Sequence, residues 1–282
     1  MEDIDAQLSI LKEIRDYIHK ESGIFFPDNK LYQLENKINE RITQLKQIRD
    51  LKQYFLFIRY NSDRILELNN LFDLITVSET TFFRNHPQLS VFQNEILPIL
   101  INQNIKKSNP ELNIWSAGCA TGEEPYTLAI LLMEKLGINI NKWNIKILAS
   151  DISPSSLHTA EQGIYNFYSL RDTPAEYINK YFIKQGKDFV IKEKLKKLVR
   201  FTLINLNNPF RLKLLPQMDI IFCRNVLIYF NTESKKKVIS SFYDRLKKDG
   251  HLFLGHSESL YAISQEFKAL CFKDVVVYQS VK

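Results

Sequence analysis

The 282-residue sequence predicts an α/β protein: a doubly wound, mostly parallel sheet preceded by a small all-helical domain and carrying a small inserted antiparallel β-subdomain. Three observations lead there. Residues 4–73 show helical periodicity with a single Gly and a single Pro, both inside the break 23–28. From residue 111 onward, short β-rich runs alternate with helical patterns, as βαβ units do. Hydrophobic residues at 45% and charged residues at 25% fit a globular chain with a sizeable core and exclude a disordered or collagen-like one. The expected units are a helical domain over 1–75, a linker over 76–110, and an α/β domain over 111–282 that contains the insertion 165–197.

Each element follows from a local pattern. Leu8, Leu11, Ile14 and Ile18 recur at helical spacing and give a first helix its apolar face; Leu31, Leu34, Ile38, Ile42 and Leu45 do so for a second. At 100° per residue, Lys30, Lys37 and Arg41 fall within roughly 40° of one another beside that second face. Such a stripe is either a solvated face or a docking surface for an acidic partner. Residues 85–110 read as a connector. Strands are expected over 112–116, 145–150, 199–203, 218–223, 251–255 and 275–279, with helices over 125–136, 155–162 and 234–246. Within 165–197 the alternation breaks. There the turn Gln185-Gly186-Lys187-Asp188 between two β-rich runs reads as a small antiparallel hairpin.

Composition removes several classes of function. No apolar run approaches the ~20 residues that cross a bilayer. The start Met1-Glu2-Asp3-Ile4-Asp5 is acidic where a secretory signal is basic, so a cytoplasmic chain without membrane insertion is expected. Cys119, Cys223 and Cys271 are odd in number and scattered, which fits free thiols, and the five histidines lack metal-ligand spacing. Thirty-eight basic against 32 acidic residues give +6 and a pI of about 9.0, compatible with nucleic acid or an acidic protein surface. Residues 1–75 hold 11 basic and 13 acidic side chains, net −2, which excludes a basic N-terminal nucleic-acid arm.

In a doubly wound sheet, ligands bind beyond the carboxyl ends of the strands. The first strand runs into Ser116-Ala117-Gly118-Cys119-Ala120-Thr121-Gly122-Glu123-Glu124-Pro125. Two glycines four apart let a backbone approach a ligand, while Glu123 and Glu124 at a helix mouth repel a pyrophosphate. Asp151 ends the next strand, either accepting ribose hydroxyls or capping the helix near Pro154. Together Gly118, Gly122, the Glu pair and Asp151 fit S-adenosylmethionine (SAM), whose sulfonium and ammonium suit an acidic pocket. Arg224 and Asn225 follow a very apolar strand, and the Asn-Pro-Pro-Tyr type of motif used on amino groups of bases is absent, which argues against nucleic acid.

Thr76-Val77-Ser78-Glu79-Thr80-Thr81-Phe82-Phe83-Arg84, the stretches 118–126, 149–152 and 222–230, and Gly255-His256-Ser257-Glu258-Ser259 resemble the CheR family of chemotaxis receptor glutamate methyltransferases. The resemblance spans nearly the whole chain, the helical domain included. It implies a Rossmann-like SAM-binding sheet and methyl transfer from SAM to glutamate γ-carboxylates on the cytoplasmic coiled coil of chemoreceptors. It also implies that Ser78, Thr80, Arg84, Glu124, Asp151, Asn205, Leu206, Cys223 and Arg224 surround the cofactor, with Gly118 in the turn beneath it. Ser78 stands where many relatives have Asn. In this reading 1–75 docks the substrate, 76–110 carries a catalytic segment, and a monomer is the family expectation.

A substrate glutamate, with a pKa of ~4.3, is already a carboxylate at neutral pH and requires no general base. Arg84 is expected to hold that carboxylate and Tyr229 to orient it; the alternatives are a structural salt bridge and core-edge packing. Phe82 and Phe83 are expected to pack between the domains, and Glu258 either to support the pocket or to cap a helix. Some relatives capture a receptor C-terminal pentapeptide through a Gly-rich insertion in the β-subdomain. The single Gly in 181–190 predicts no such tether, leaving Lys30, Lys37 and Arg41 as the main docking contact. A methyltransferase of nucleic acid or a small molecule and a non-catalytic SAM-binding scaffold remain as other readings.

Overall fold

A computed structural model describes residues 2–105 and 107–282. Four helices form the N-terminal unit: α1 (Glu2–Ser22), α2 (Leu31–Gln44), α3 (Leu51–Tyr60) and α4 (Arg64–Ile75). Leu11, Ile14 and Ile18 of α1 and Leu31, Leu34, Ile38 and Ile42 of α2 are buried on the expected faces. Leu8 is instead 42% exposed, and Leu45 lies just past the end of α2. Asp50 starts α3 by accepting a hydrogen bond from the Gln53 amide, which satisfies a free helix-end donor.

The basic stripe does not survive intact. Arg41 donates to both oxygens of the buried Glu67 at 2.9 and 2.7 Å, and the Tyr54 hydroxyl donates to the same carboxylate. Its charge is spent inside the bundle, because a carboxylate this deep requires a cation. Lys37 donates to the Leu74 carbonyl, and Lys30 is exposed.

The expected connector is also helical. α5 (His86–Val91) and α6 (Leu97–Asn104) join through a π-turn, Phe92–Ile96. Pro87 falls in the first turn of α5, where no N–H is required, and the π-turn precedes Pro98.

The remaining strands are β1 (Glu111–Ala117), β2 (Asn144–Asp151), β3 (Ile164–Tyr165), β4 (Phe182–Gln185), β5 (Asp188–Ile191), β6 (Val199–Leu203), β7 (Met218–Cys223), β8 (Leu246–Leu254), β9 (Phe267–Phe272) and β10 (Val275–Ser280). Between them lie α7 (Glu123–Leu136), α8 (Pro154–Gln162), α9 (Ala175–Tyr181), α10 (Glu193–Lys196), α11 (Pro209–Lys213) and α12 (Thr232–Arg245). Seven strands form one sheet in the order β6-β2-β1-β7-β8-β10-β9. The first five run parallel, and β10 runs antiparallel to both its neighbours, β8 and β9. The doubly wound expectation therefore holds, with an antiparallel edge that adds β9, a strand absent from the sequence reading. The second sheet, β3-β5-β4, contains the predicted hairpin and one further short strand.

The strand order reverses at β1, with β2 on one side and β7 on the other, which opens a crevice at their carboxyl ends. The helical unit is fastened beside that crevice. Ile24 bridges to Phe230, the Phe25 amide donates to the Tyr229 carbonyl at 2.9 Å, and Asn205 and Asn207 donate to the Glu21 and Lys20 carbonyls at the end of α1. One apolar core runs unbroken from Ile14 and Ile18 through Leu227 to Trp115 and Ile221 of the sheet. The other face of the sheet packs against α7 and the α5–α6 helix.

Candidate active site

A cavity of about 570 Å³ opens at the switch point, walled by the loops after β1, β2, β6 and β7, by the segment 75–84, and by Lys30, Gln33 and Lys37 of the helical unit. The β1 loop is shaped by glycine. Gly118 and Gly122 have φ of +80° and +95°; a Cβ at Gly118 would lie 2.3 Å from Val226, and one at Gly122 2.8 Å from Ala160. The close approach these glycines permit is therefore to protein neighbours, where the sequence suggested a ligand.

Asp151 faces this cavity from the end of β2. One oxygen accepts from the Ala120 amide at 2.9 Å and the other from the Ser153 amide at 3.0 Å. The cap of α8 is Ser153, whose hydroxyl oxygen accepts from the Ser156 amide, so the capping alternative for Asp151 falls away. Burial pushes the Asp151 carboxyl up, while the amide donors pull it down.

The acidic pair divides. Glu124 lines the cavity, accepts from the Ser116 hydroxyl at 2.7 Å and pairs with Arg224 at 3.1 Å. Glu123 turns away and is buried, accepting from the Thr121 and Ser169 hydroxyls; desolvation pushes its carboxyl up to about 7. Arg224 continues the chain of contacts. Its Nη2 donates to the Arg84 carbonyl at 2.7 Å, while its buried Nε has no partner among the described residues.

Arg84 is exposed on the cavity wall, donates only to the Glu79 carbonyl at 3.3 Å, and has no carboxylate partner among the described residues, so the salt-bridge alternative is not realised. Its neighbours Phe83 and Asn85 both adopt left-handed backbone, with φ of 56° and 66°. Such backbone persists only where surroundings enforce it. Here the Phe83 amide donates to Thr127, and the Phe83 ring stacks on Tyr177. Phe82 meets Tyr165 and Phe182 edge-on. Both rings thus pack against the inserted subdomain and its approach, not between the two domains as expected.

Tyr229 is 37% exposed on the wall, which removes the core-edge alternative. Burial raises its hydroxyl pKa and the nearby Arg84 charge opposes that. Ser78, hydrogen-bonded to Ser156 at 2.9 Å, and Thr80 also line the cavity. Leu206, Ile152 and Ile204 form an apolar stretch of wall. Asn205 lies there too, but its amide is committed to Glu21 and Asn207. Cys223 is a correction: it is fully buried in the core and off the wall, and Cys119 lines the cavity instead.

One feature of the site lay beyond the sequence reading. Phe25, Phe26 and Pro27, from the break after α1, close one side of the cavity; their apolar character was the available signal. Glu258 was legible only as an alternative. It accepts from the amides of Gly255, Asn225 and Ile228 at 2.6, 2.9 and 3.2 Å, holding Asn225 at φ 60° and with it the loop that carries Arg224 and Tyr229.

This donor set fits SAM. With SAM bound, Asp151 would accept the ribose hydroxyls, the Ile152, Ile204 and Leu206 wall would meet an apolar base face, and the orphaned Arg224 Nε would take a carboxylate. Sheet order and site together define a SAM-dependent methyltransferase. Residues 78–276 match the CheR methyltransferase SAM-binding domain and residues 10–76 the CheR methyltransferase all-alpha domain. The chain belongs to the CheR methyltransferase family. It is 36% identical to chemotaxis protein methyltransferase 2 of Vibrio cholerae over 94% of this chain and 90% of that one. It is 35% identical to the chemotaxis protein methyltransferase of Borreliella burgdorferi, covering 89% and 88%. Among solved structures it is similar to the N-methyltransferase NodS of Bradyrhizobium japonicum in complex with S-adenosyl-l-homocysteine, with a TM-score of 0.39, 10% identity and coverage of 71% and 91%. Among the described residues, no helix is long and apolar enough to cross a membrane and no side-chain cluster could hold a metal ion.

Proposed function

We propose that this protein transfers the methyl group of SAM to the γ-carboxylates of glutamates on chemoreceptor cytoplasmic helices, giving glutamate methyl esters and S-adenosylhomocysteine. The observation that carries the reading is Arg84: a cation at the cavity mouth with no carboxylate partner among the described residues, beside a half-exposed Tyr229. An anionic nucleophile is the substrate that such a seat favours. The names of the curated relatives, chemotaxis protein methyltransferases, support a protein substrate in that pathway.

SAM, when bound, supplies the electrophilic methyl group. The chain's own residues have to position and desolvate. The substrate carboxylate arrives ionised, so no side chain removes a proton. Arg84 holds it and offsets part of its desolvation, and the Tyr229 hydroxyl donates to orient it. Arg224, held by Glu124, fixes the Arg84 backbone, and the helical unit shields the cavity from water on the side of Phe25 and Phe26. Lys30 and Lys37, on the same wall, draw the acidic receptor helix to the mouth. The protein acts as a cytoplasmic monomer and engages no C-terminal pentapeptide.

Labelled SAM offered with receptor cytoplasmic fragments, or with RNA, tests this. Base-labile label on the receptor fragment supports the reading. Label on RNA, or SAM binding without transfer, overturns it. Micromolar binding of a labelled receptor C-terminal pentapeptide refutes the tether-free part alone.

A further inference from the structure

The loop 166–171, between β3 and α9, is held firmly yet exposes aromatic surface. The Ser169 amide donates to Asn166 Oδ1, the Leu170 amide to the Phe167 carbonyl, and the Phe82 amide to the Ser169 carbonyl at 2.9 Å. Leu170 is buried, and the Ser169 hydroxyl donates to Glu123. On this frame Phe167 is 68% and Tyr168 58% exposed. The Arg171 guanidinium sits 3.8 Å above the Tyr168 ring centroid and donates to the Tyr168 carbonyl; no carboxylate pairs with it among the described residues.

This knuckle adjoins the cavity mouth. The Tyr168 hydroxyl donates to Glu79 Oε1 at 3.1 Å, and Glu79 lines the cavity and holds Arg84 through its carbonyl. An adjacent Phe and Tyr with a stacked Arg, on a backbone that loses little freedom on binding, is the composition of an interface anchor. We infer that Phe167, Tyr168 and Arg171 form a second docking point for the acidic receptor helix, joined to the Arg84 wall of the cavity through Glu79.

The inference rests on the function proposed above. A helix that places one glutamate beside Arg84 extends past the rim at 1.5 Å per residue, so a carboxylate one turn away comes to lie about 5 Å along the axis. Arg171 carries a planar, unpaired fork suited to such a carboxylate, and Phe167 offers apolar area to the residue between. Glu79, which accepts the Tyr168 hydroxyl hydrogen bond, and Asp172, which accepts from Thr81, add negative charge here, but both carboxylates already hold hydrogen-bond donors, whereas Arg171 has no carboxylate partner among the described residues.

The test measures methylation of a receptor cytoplasmic fragment by wild-type, Phe167→Ser and Arg171→Glu protein. The expected result is a receptor KM raised about tenfold in each variant, near 1.4 kcal/mol, with kcat and SAM affinity within twofold. A Glu→Lys change in the fragment one turn from the methylated site should restore KM for Arg171→Glu. Hydroxyl-radical footprinting of the wild-type protein adds a readout free of any folding defect, with oxidation of Phe167 and Tyr168 falling when the fragment binds. Unmoved KM in both variants, or unprotected rings, overturns this docking point while leaving the methylation reading intact. A fragment that wild-type protein does not label overturns both.

Discussion

Arg224 Nη2 reaches the main-chain oxygen of Arg84 across 2.7 Å, and through this bond the loop after β7 grips the linker between domains. The same guanidinium pairs with Glu124, and the two side chains are only 5% and 13% exposed. One residue thus joins Glu124, in the first turn of α7, to the backbone of Arg84. Arg224→Met should leave Glu124 without its cation and lower stability by about 3 kcal/mol, the usual cost of breaking a buried pair. Adding Glu124→Gln should recover part of that loss in denaturant titrations. Equal stability of the single and double variants would show that the pair is not coupled.

Arg84→Ala should reduce turnover on a receptor fragment by about a hundredfold, with a much smaller change in SAM affinity, because its proposed work is on the reacting carboxylate. Arg84→Lys should rescue only in part, since a point charge replaces the planar fork. Wild-type turnover at saturating SAM in Arg84→Ala would remove Arg84 from the chemistry.

For Asp151→Ala the expected result is SAM affinity at least tenfold weaker, since hydrogen bonds to a charged acceptor contribute ~1.5–3 kcal/mol each. Calorimetry measures this directly. Ser153 still caps α8, so the fold should persist. Unchanged affinity would confine Asp151 to holding the Ala120 and Ser153 amides.

How much of this was legible in the sequence depended on how local the cause was. β7 was legible because both its faces are buried, which writes the unbroken apolar run Ile220–Cys223; β1 is as deeply buried but interleaves Leu112, Ile114 and Trp115 with Asn113 and Ser116. β9 has a short apolar stretch, Ala269–Phe272, but lies at the sheet edge with no fully buried position, so neither length nor alternation marked it as a strand. Pro87 and Pro98 masked the α5–α6 helix, since a proline in a first turn and one after a π-turn look alike in a string of letters. At the site, Cys223 and Arg224 are consecutive, and only the pleat decides that one enters the core and the other the cavity. Asn205 was recognised by its position, yet its amide is consumed by a carbonyl 184 residues earlier in the chain.

Glu123 should make stability depend on pH. Its carboxyl titrates at about 7 when folded, against 4.5 ordinarily, so between those values the folded chain holds a proton that the unfolded chain has lost. Stability therefore falls as pH rises through this window, by about 3 kcal/mol in total. Glu123→Gln, which keeps a neutral side chain of the same shape, should match wild type near pH 4 and exceed its melting temperature at pH 8. Parallel melting curves for the two proteins across that range would show that the buried carboxyl does not titrate there.

Lys30, Lys37 and Arg41 looked equivalent on a helical wheel, and the structure separates them. Lys30 and Lys37 line the cavity, while Arg41 is bound to Glu67 with Tyr54 on the same carboxylate. Lys30→Glu with Lys37→Glu should raise the receptor KM and make the remaining activity less sensitive to salt, with SAM affinity and melting temperature nearly unchanged. Arg41→Met should do the opposite. It leaves Glu67, whose side chain is only 4% exposed, without its cation, and should cost about 3 kcal/mol of stability with little change in receptor KM for the protein that remains folded. Adding Glu67→Gln should restore part of the lost stability, because the stranded charge is then gone. A receptor KM that rises in Arg41→Met at unchanged stability would return Arg41 to the docking surface. A KM that ignores both lysines would leave that wall of the cavity as solvated surface.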